Sequence, residues 1–588
     1  MSPANWIQLL AFIALCAIST PLLGSYMYKV YRGGKAPGDR IFLPVENAMY
    51  RMCGVDPEGE QRWNIYAFSL LAFSLAGVLL SYLFLRIQGH LPFNPDHMKG
   101  VPPALSFNTA ISFLTNTNWQ AYAGESTMSH LSQMFALVVQ QFLSAAVGMA
   151  VAVAFVRALV RRRSTTMGSF WVDTVRSTTR VLIPISFIFA FVLMSQGVIQ
   201  NFHASKTVTT VASQTNPTTG QVTQTQTIPG GPVASQQPIE VLGDNGGGFF
   251  NVNAAHPYEN PNPITNILLY WLVVMIPFAF PWTFGKMVGS MGQGMVVLAS
   301  MVILYLASVL ILSPVEAAGN NKYPAGVSQA TTASQVGGNM EGKDTRLGIG
   351  GSTLGAASIT ATSAGANNSA HESYTPIGGS IPLINILLGE VSPGGAGSGL
   401  FGKLILALLS VFIAGLMVGR TPEYLGKKIQ SVEMKLVVLY LLIVPMVVLV
   451  FAGVAIAMKT PDHSLFAAGP YCQSYCAQHG LTEMVYTYAS AANNNGSAFA
   501  GINANTQWFN SSLGIVMLAG RYLLIIPVLA IGGSLGRKQV APETAGTFRT
   551  DTPLFAGLLV VVTLILVGLI YFPVMALGPI VEHLAGHF

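Results

Sequence analysis

Residues 102–125 read PPALSFNTAISFLTNTNWQAYAGE, an apolar segment that turns polar before it is long enough to cross a membrane. Its two prolines favour the start of a helix. Residues 104–114 then form an apolar stretch of about three turns, which is too short to cross a bilayer. The polar run 115–120 cannot continue as a helix exposed to lipid. We therefore predict a re-entrant loop, in which a short helix enters the membrane and a polar strand leaves it.

The chain around this stretch is unusually apolar. Its 588 residues are 51% hydrophobic and 9% charged, whereas soluble globular proteins are about 25% charged. Ten apolar runs are long enough to span a bilayer: 5–27, 65–86, 131–156, 177–199, 265–284, 295–315, 400–419, 434–457, 512–532 and 553–576. The sequence therefore predicts an all-α polytopic membrane protein with ten transmembrane helices.

The connections between these runs alternate in charge and in length. Arginines and lysines are concentrated in 28–63 and in 157–176. Between them, the connection 88–130 contains one basic residue of this kind, Lys99. The positive-inside rule therefore places both termini outside, and the net charge of +6 reflects topology rather than nucleic-acid binding. The long connections, near 88–130, 200–263, 317–380 and 458–510, then all lie outside.

Each long outer loop contains small, amide or hydroxyl residues after a short stretch that suits a helix. One such loop alone fits a turn on a wet surface equally well, but four in equivalent positions favour four span, pore loop, span repeats around one pore. The predicted divisions are 1–63 for an N-terminal span and inner loop, 64–160, 161–285, 286–420 and 421–536 for repeats I to IV, and 537–588 for a C-terminal span.

Four re-entrant loops around one axis would present backbone carbonyl oxygens in place of the hydration shell of a cation. The C-terminal ends of the short helices would add negative potential. Thr and Asn oxygens without a fixed carboxylate suit a monovalent ion better than Ca²⁺ or Mg²⁺.

The motifs SFNTAISFLTNTNWQAYAGE, NGGGFFNVNAAHPYENP, ANNNGSAFAG and GLMVGRTPEYLGKKI resemble those of the potassium-binding, channel-like subunit of the Kdp potassium-transporting ATPase. The resemblance covers nearly the whole chain. It implies the fold of the potassium transporter superfamily and high-affinity capture of K⁺ from outside, through a bacterial plasma (inner) membrane. No cofactor is expected in this chain, and K⁺ is the transported ion.

By motif, the resemblance assigns the selectivity filter to Thr115, Asn116, Thr117, Asn118, Gln120, Gly246, Gly247, Gly248, Ser363, Ala364, Gly365, Ala366, Asn367, Asn494, Asn495, Gly496 and Ser497. Which of the three successive glycines faces the ion stays open. Two features depart from the family pattern: the third loop reads TSAGANN, where a cysteine and a valine are usual, and the insert 203–238 precedes the second loop. The insert is most simply a solvated hairpin or a flexible loop.

The apolar run 381–419 is too long for one straight span, and Pro393 with its neighbouring glycines must break it. We predict helical pieces at 381–390 and 400–419 with an unwound stretch at 392–399. In the related superfamily a broken helix at this place acts as a gate. The residues assigned to gating or the ion path are Glu390, Gly394, Gly395, Gly397, Lys403 and Arg521.

Three of these residues carry charge. Ionisable groups at such depth usually face a cavity or a partner. We expect Glu390 to attract the ion below the filter and Arg521 to limit where it goes, with a structural ion pair as the alternative for Arg521. Lys403 could reach water by snorkelling.

The sequence contains no recognisable site for ATP hydrolysis. GAGSGLFGKL approaches a P-loop but has Leu404 where Ser or Thr should hold Mg²⁺. The resemblance implies three partners: a P-type ATPase subunit, a single-span accessory subunit and a very small membrane subunit. The alternative is a passive or Na⁺- or H⁺-coupled potassium transporter of the same superfamily. Cys472 and Cys476 lie in an outer loop where a disulfide is permitted.

Overall fold

The computed structural model describes residues 3–215, 221–321, 323, 326–333, 335–458, 479–542 and 548–585. In this part of the chain, ten helices are long and apolar enough to cross a membrane: Asn5–Tyr31, Trp63–His90, Ser132–Val160, Phe170–Ser195, Pro263–Val288, Met291–Ala317, Ser398–Met417, Ser431–Ala457, Gln507–Gly536 and Pro553–Leu584. The ten predicted spans are confirmed, and the chain is an all-α, multi-pass membrane protein. Several spans are a few residues longer than their apolar runs.

The protein core lies around the third and fifth spans. The most apolar windows of these two helices are 83% and 78% buried, against 22% for the eighth span, Ser431–Ala457. Small residues such as Ala146, Ala150 and Ala154 let neighbouring helices approach the third span closely. The apolar side chains of the eighth span face outward instead, as a lipid-facing span requires.

Four short helices lie between the spans and are almost entirely buried. They are the first pore helix (Pro103–Leu114), the second (Val233–Leu242), the third (Gly348–Ala361) and the fourth (Gly480–Ala492). Each is too short to span a bilayer, and each is enclosed by protein, as irregular backbone at membrane depth requires. One pore helix falls in each predicted repeat; the predicted boundaries of the repeats stay a prediction.

The described residues contain little β-structure. Lys206–Thr215 and Val222–Ile228 pair as an exposed antiparallel hairpin, and Glu423–Tyr424 pairs with Lys427–Lys428 in a second, very short one. The first hairpin occupies the predicted insert. The last residues of that insert, 233–238, belong instead to the second pore helix.

The predicted break in the seventh crossing is present, but it begins and ends earlier than expected. A helix spans Pro376–Leu387, an irregular segment covers 388–397, and the seventh span starts at Ser398. Gly397 has φ 95°, a left-handed conformation that glycine adopts without steric cost. The prediction that 388–390 is helical and that 398–399 is unwound is therefore wrong.

Two further helices complete the described chain, apart from single turns. An amphipathic helix spans Asp39–Cys53 between the first two spans, and a short one spans Gly124–Thr127 after the first pore loop. Cys472 and Cys476, between which the sequence permits a disulfide, lie outside the described residues.

Candidate functional site

The polar strands that follow the four pore helices meet backbone to backbone. A methyl group built on Gly365 would lie 2.6 Å from the carbonyl oxygen of Gly246 and 2.5 Å from the carbonyl carbon of Gly496. A methyl group on Gly496 would strike the carbonyl oxygen of Thr117. Residues Thr117, Gly246, Gly365 and Gly496, one from each loop, therefore form one closely packed ring, which we call the loop ring.

The second loop contributes its first glycine to the loop ring. A methyl group on Gly246 would strike the carbonyl oxygen of Thr117 and lie 2.7 Å from the Cα of Gly496, both members of the ring. One on Gly247 would instead strike the carbonyl oxygen of Asn118 and lie 2.8 Å from Gln120. Gly248 points away from the ring, with Glu259 Oε1 at 3.0 Å from its built methyl group and Glu240 also in contact. Three consecutive glycines in one motif look alike in sequence, and only their surroundings distinguish them.

Side-chain amides join each loop to the next. Asn118 Nδ2 donates to Asn245 Oδ1 at 2.7 Å, which links the first loop to the second. Asn494 Nδ2 donates to Thr117 Oγ1 at 3.0 Å, which links the fourth loop to the first. These buried amides therefore brace the ring by joining neighbouring loops.

The third loop is linked to both of its neighbours. The Gly365 amide donates to the Asn245 carbonyl at 3.4 Å. Asn495 Nδ2 donates to the carbonyls of Ile359 and Thr362, at 2.8 and 2.9 Å, at the end of the third pore helix. With these bonds the chain of contacts closes around all four loops.

The remaining predicted filter residues lie around the ring. Thr115 Oγ1 donates to Ile111 O at 2.9 Å and so ends the first pore helix. Asn116 Nδ2 donates to Asp244 O at 2.6 Å. Gln120 and Asn367 are half-buried. The other four residues are buried: Ser363, Ala364, Ala366 and Ser497.

A cavity of about 740 Å³ opens on one side of the loop ring. Gly246, Gly365 and Gly496 form part of its wall, and Gln120 and Asn367 stand at the entrance to the ring. Gln120 Nε2 donates to Gly248 O at 2.8 Å, and Asn367 Nδ2 donates to Ala498 O at 3.4 Å. We call this cavity the vestibule; polar and apolar side chains line it, and it leads to the loop ring.

The one lysine in the vestibule wall is held away from the opening. Lys343 Nζ lies 2.9 Å from Glu316 Oε2, and both side chains are wholly buried. Burial lowers the pKa of Lys343 from its ordinary value, while the attraction of Glu316 opposes this shift. The lysine charge is therefore paired inside the protein and does not confront an entering cation.

On the other side of the ring lies the irregular segment 388–397. Ser363 Oγ of the third loop donates to Glu390 Oε2, and Glu390 has φ 51°. A methyl group built on Gly395 would lie 2.5 Å from Ser363 Oγ, and one on Gly394 would strike the carbonyl oxygen of Glu390. The predicted gating residues Glu390, Gly394 and Gly395 thus pack directly beneath the third loop.

The other predicted charges take different positions. Arg521 Nη2 donates to the Ser144 carbonyl at 2.7 Å, and among the described residues Arg521 forms no ion pair. Gly397 and Ala396 pack against Gly148 of the third span, near the same guanidinium. Arg521 therefore lies beside the irregular segment, and the ion-pair alternative is wrong within the described chain.

Lys403 does not snorkel to water, contrary to the prediction. The residue is fully buried, and its Nζ has no hydrogen-bond partner in the described part of the chain. The prediction failed because Lys403 lies in the second turn of the seventh span, where neighbouring spans enclose it.

The whole chain is similar to known potassium ATPase subunits. Residues 10–584 match the family described as Potassium-transporting ATPase A subunit. The chain belongs to this family. Proteins from Mycobacterium bovis and Mycobacterium tuberculosis, each named potassium-transporting ATPase potassium-binding subunit, are 52% identical over 587 residues and cover 100% of both chains. A protein of the same name from Solibacter usitatus is 50% identical and covers 100% of this chain and 99% of its own.

One residue of this A-subunit chain escaped the sequence reasoning. Asp244 is fully buried next to the ring, and neither carboxylate oxygen has a hydrogen-bond partner in the described chain. Asp244 lies just before the predicted filter residues of the second loop and places a carboxyl group beside the neutral Thr and Asn oxygens. The signal was present, because Asp244 stands second after the last residue of its pore helix, as Asn116 and Asn494 do.

Proposed function

We propose that this chain is the potassium-binding and translocating subunit of an ATP-driven, high-affinity potassium importer. K⁺ enters the vestibule from outside, loses water in the loop ring and passes on towards a separate P-type ATPase subunit. The observation that carries the proposal is the convergence of four pore-loop backbones at Thr117, Gly246, Gly365 and Gly496. Ring carbonyls of this kind replace the hydration shell of a weakly hydrated monovalent cation.

A cation suits the acidic side chains close to the ring better than an anion does. Asp244 and Glu390 are buried close to the ring, whereas Lys343 is paired with Glu316 at the vestibule wall. In our proposal Glu390 attracts the ion that leaves the ring, and Arg521 beside the irregular segment limits its onward route. The segment 388–397 then acts as the gate, since its glycines allow a backbone that a regular helix does not.

The energy source is a second polypeptide. Relatives that cover the full chain at about half identity are named as subunits of a potassium-transporting ATPase, which favours this reading over a passive or ion-coupled transporter. We propose that a single-span accessory subunit and a very small membrane subunit complete the complex. We place it in the bacterial plasma (inner) membrane, with both termini of this chain outside.

Copurification and hydrolysis test the proposal. The full chain, tagged and expressed from its own genetic background, should copurify with an ATPase whose ATP hydrolysis is stimulated by K⁺ and inhibited by vanadate. Uptake of K⁺ into liposomes should require that partner and ATP. Uptake by this chain alone, without ATP, would contradict the proposal and restore the passive or coupled transporter.

A further inference from the structure

The amphipathic helix Asp39–Cys53 has three distinct faces. Glu46 and Tyr50 form a buried face, and Arg40 and Arg51 lie together on an exposed basic face. Ile41, Val45 and Met52 form the third face, and these side chains are 71%, 52% and 81% exposed. Their spacing of four and seven residues aligns them on one side of the helix. A soluble surface seldom leaves such a stripe uncovered.

Arg180 fixes the position of this helix beside the fourth span. Its Nε and Nη2 atoms donate to the two carboxylate oxygens of Glu46, at 2.5 and 2.7 Å, and its Nη1 donates to Asp39 at 2.6 Å. Ile183, three residues further along, is the first exposed residue of the span, and exposed Phe187 follows one turn later. The amphipathic helix therefore lies at the level where the lipid-facing surface of the fourth span begins.

A basic pocket of about 270 Å³ lies on the other side of Arg180. Arg176, one turn before Arg180, lines it together with Arg32, Arg157 and Arg161. Arg176 is about 10 Å along the helix from Ile183. The arginines of the pocket therefore lie at a different depth from the first lipid-facing side chains. Arg180, which holds the amphipathic helix through Glu46 and Asp39, stands one turn after Arg176, so the pocket and the helix adjoin.

Two of the four arginines are available to an anion. Arg157 forms a two-point ion pair with Asp173, and Arg161 forms one with Glu60. Arg32 and Arg176 form no ion pair within the described residues, and Arg176 Nε is buried without a hydrogen-bond partner there. Glu58 also lines the pocket and is the one further acid in its wall. A guanidinium with free donors matches a phosphate group in shape and charge.

We propose that this pocket and the adjoining helix bind an anionic phospholipid, with its phosphate at Arg32 and Arg176 and its acyl chains along Ile41, Val45 and Met52. The positions of these groups along the fourth span favour a lipid over free phosphate. Arginine donors, the apolar stripe and the first lipid-facing side chains follow one another within about three helical turns, as a headgroup and its acyl chains require. Basic pockets between spans on the positively charged side of a membrane protein bind such headgroups. The proposal does not depend on potassium transport.

Native mass spectrometry tests the pocket. The full chain, purified with the subunits that accompany it, is stripped of lipid and titrated with phosphatidylglycerol, phosphatidylcholine or inorganic phosphate. The double variant Arg32→Gln, Arg176→Gln should weaken phosphatidylglycerol binding about tenfold or more and leave phosphatidylcholine binding unchanged. The matched control Arg162→Gln, Arg163→Gln removes two exposed arginines next to the pocket and should change binding less than about twofold.

Three results would overturn the proposal. These are an equal loss in the pocket and control variants, no preference of the unmodified complex for phosphatidylglycerol over phosphatidylcholine, and displacement of bound lipid by inorganic phosphate at comparable concentration. The last result would show that the pocket takes free phosphate.

Spin labelling tests the apolar face separately. A nitroxide on Met52→Cys, with the four native cysteines replaced by serine, should collide with oxygen and not with a water-soluble nickel complex in liposomes. A label on Arg40→Cys, on the basic face, should collide more with the nickel complex. A Met52→Cys label that meets neither collider would be covered by a protein subunit, and this outcome contradicts the lipid assignment.

Discussion

The first, second and fourth pore helices each end near a residue with a left-handed backbone: Asn116 with φ 70°, Asp244 with φ 52° and Asn494 with φ 58°. The third ends instead at Thr362, whose backbone is extended with φ −113°. Asn and Asp tolerate the left-handed conformation better than other residues with side chains. In three of the four loops, the turn after the pore helix is therefore determined locally, by the two residues that follow that helix.

The third quarter depends on contacts with other segments. Asn495 of the fourth loop donates to two carbonyls at the end of the third pore helix, and the Ser363 hydroxyl donates to Glu390 in the irregular segment. Movement of that segment would therefore act first on the third loop. The third loop is therefore tied to the irregular segment that we propose as the gate, whereas the turns of the other three loops are set by their own residues.

The largest effect is expected at Gly496, in a locally encoded loop. Gly496→Ala places a methyl group against Thr117 O at φ 94°, so strain and overlap add. Together they amount to about 4 kcal/mol, and we expect K⁺ affinity to fall about 1,000-fold. Isothermal titration of the purified complex with KCl measures this. The control Gly568→Ala adds a methyl group with nothing within 4 Å; equal affinities would remove Gly496 from the ring.

A charge at the vestibule should have the next largest effect. Gln120→Arg replaces the amide that bonds Gly248 O at the entrance to the ring. A positive charge about 8 Å from a bound cation costs about 2 kcal/mol in a partly screened site, so K⁺ affinity should fall about 30-fold. Isothermal titration of the purified complex with KCl measures it, with Gln335→Arg at an exposed position as control. Unchanged affinity would place Gln120 away from the ion.

Much of this architecture was predictable from local patterns. The ten spans follow from runs of apolar residues, and the first re-entrant loop follows from a three-turn helix that ends in Thr and Asn. The break near Pro393 was visible as well, because proline and clustered glycines cannot continue a helix. Its exact ends were not, since 398–399 are helical despite Gly399 and 388–390 are not.

What the sequence could not supply were contacts between distant loops. Gly246 rather than Gly248 joins the ring because Thr117 and Asn495 lie against it, and these residues are far away in sequence. The bracing role of Asn118 likewise requires Asn245, 127 residues later. The prediction that Lys403 reaches water failed for the same reason, because its burial depends on which spans enclose the seventh span.

The dependence of the third loop on the fourth can be broken directly. Asn495→Ala removes two hydrogen bonds that end the third pore helix, at about 1 kcal/mol each, and we expect about 30-fold weaker K⁺ binding from their loss. It also removes the Oδ1 atom that accepts from the Ser497 amide and hydroxyl within the fourth loop. Asn493→Ala is the matched control, since its amide bonds only Ala489 O of its own helix. If the two variants bind K⁺ equally well, the third loop does not need this support.

The hydrogen bond from Ser363 of the third loop to Glu390 should contribute less to K⁺ binding than the bonds of Asn495. Glu390→Gln keeps the shape of the side chain and replaces the carboxyl group that accepts from the Ser363 hydroxyl with an amide. The difference is about 1 kcal/mol, so K⁺ affinity should fall about fivefold. Titration with KCl measures it against Glu423→Gln, which lies in the short hairpin Glu423–Tyr424/Lys427–Lys428. A loss as large as that of Gly496→Ala would instead make Glu390 part of the ring.

The smallest effect on K⁺ binding is expected at Lys403. A substitution there tests whether the region that affects the ion ends at residue 397. A buried ammonium group without a partner in the described chain costs free energy that no hydrogen bond recovers. Lys403→Met should therefore raise the free energy of unfolding by about 1 kcal/mol or more and change K⁺ affinity by less than about twofold. Thermal unfolding of the complex and titration with KCl measure the two quantities, and Leu404→Met, at the next fully buried position, controls for methionine in this turn. If Lys403→Met instead changed affinity tenfold, the positive charge would act on the ion, and the gate would extend from 388–397 into the seventh span.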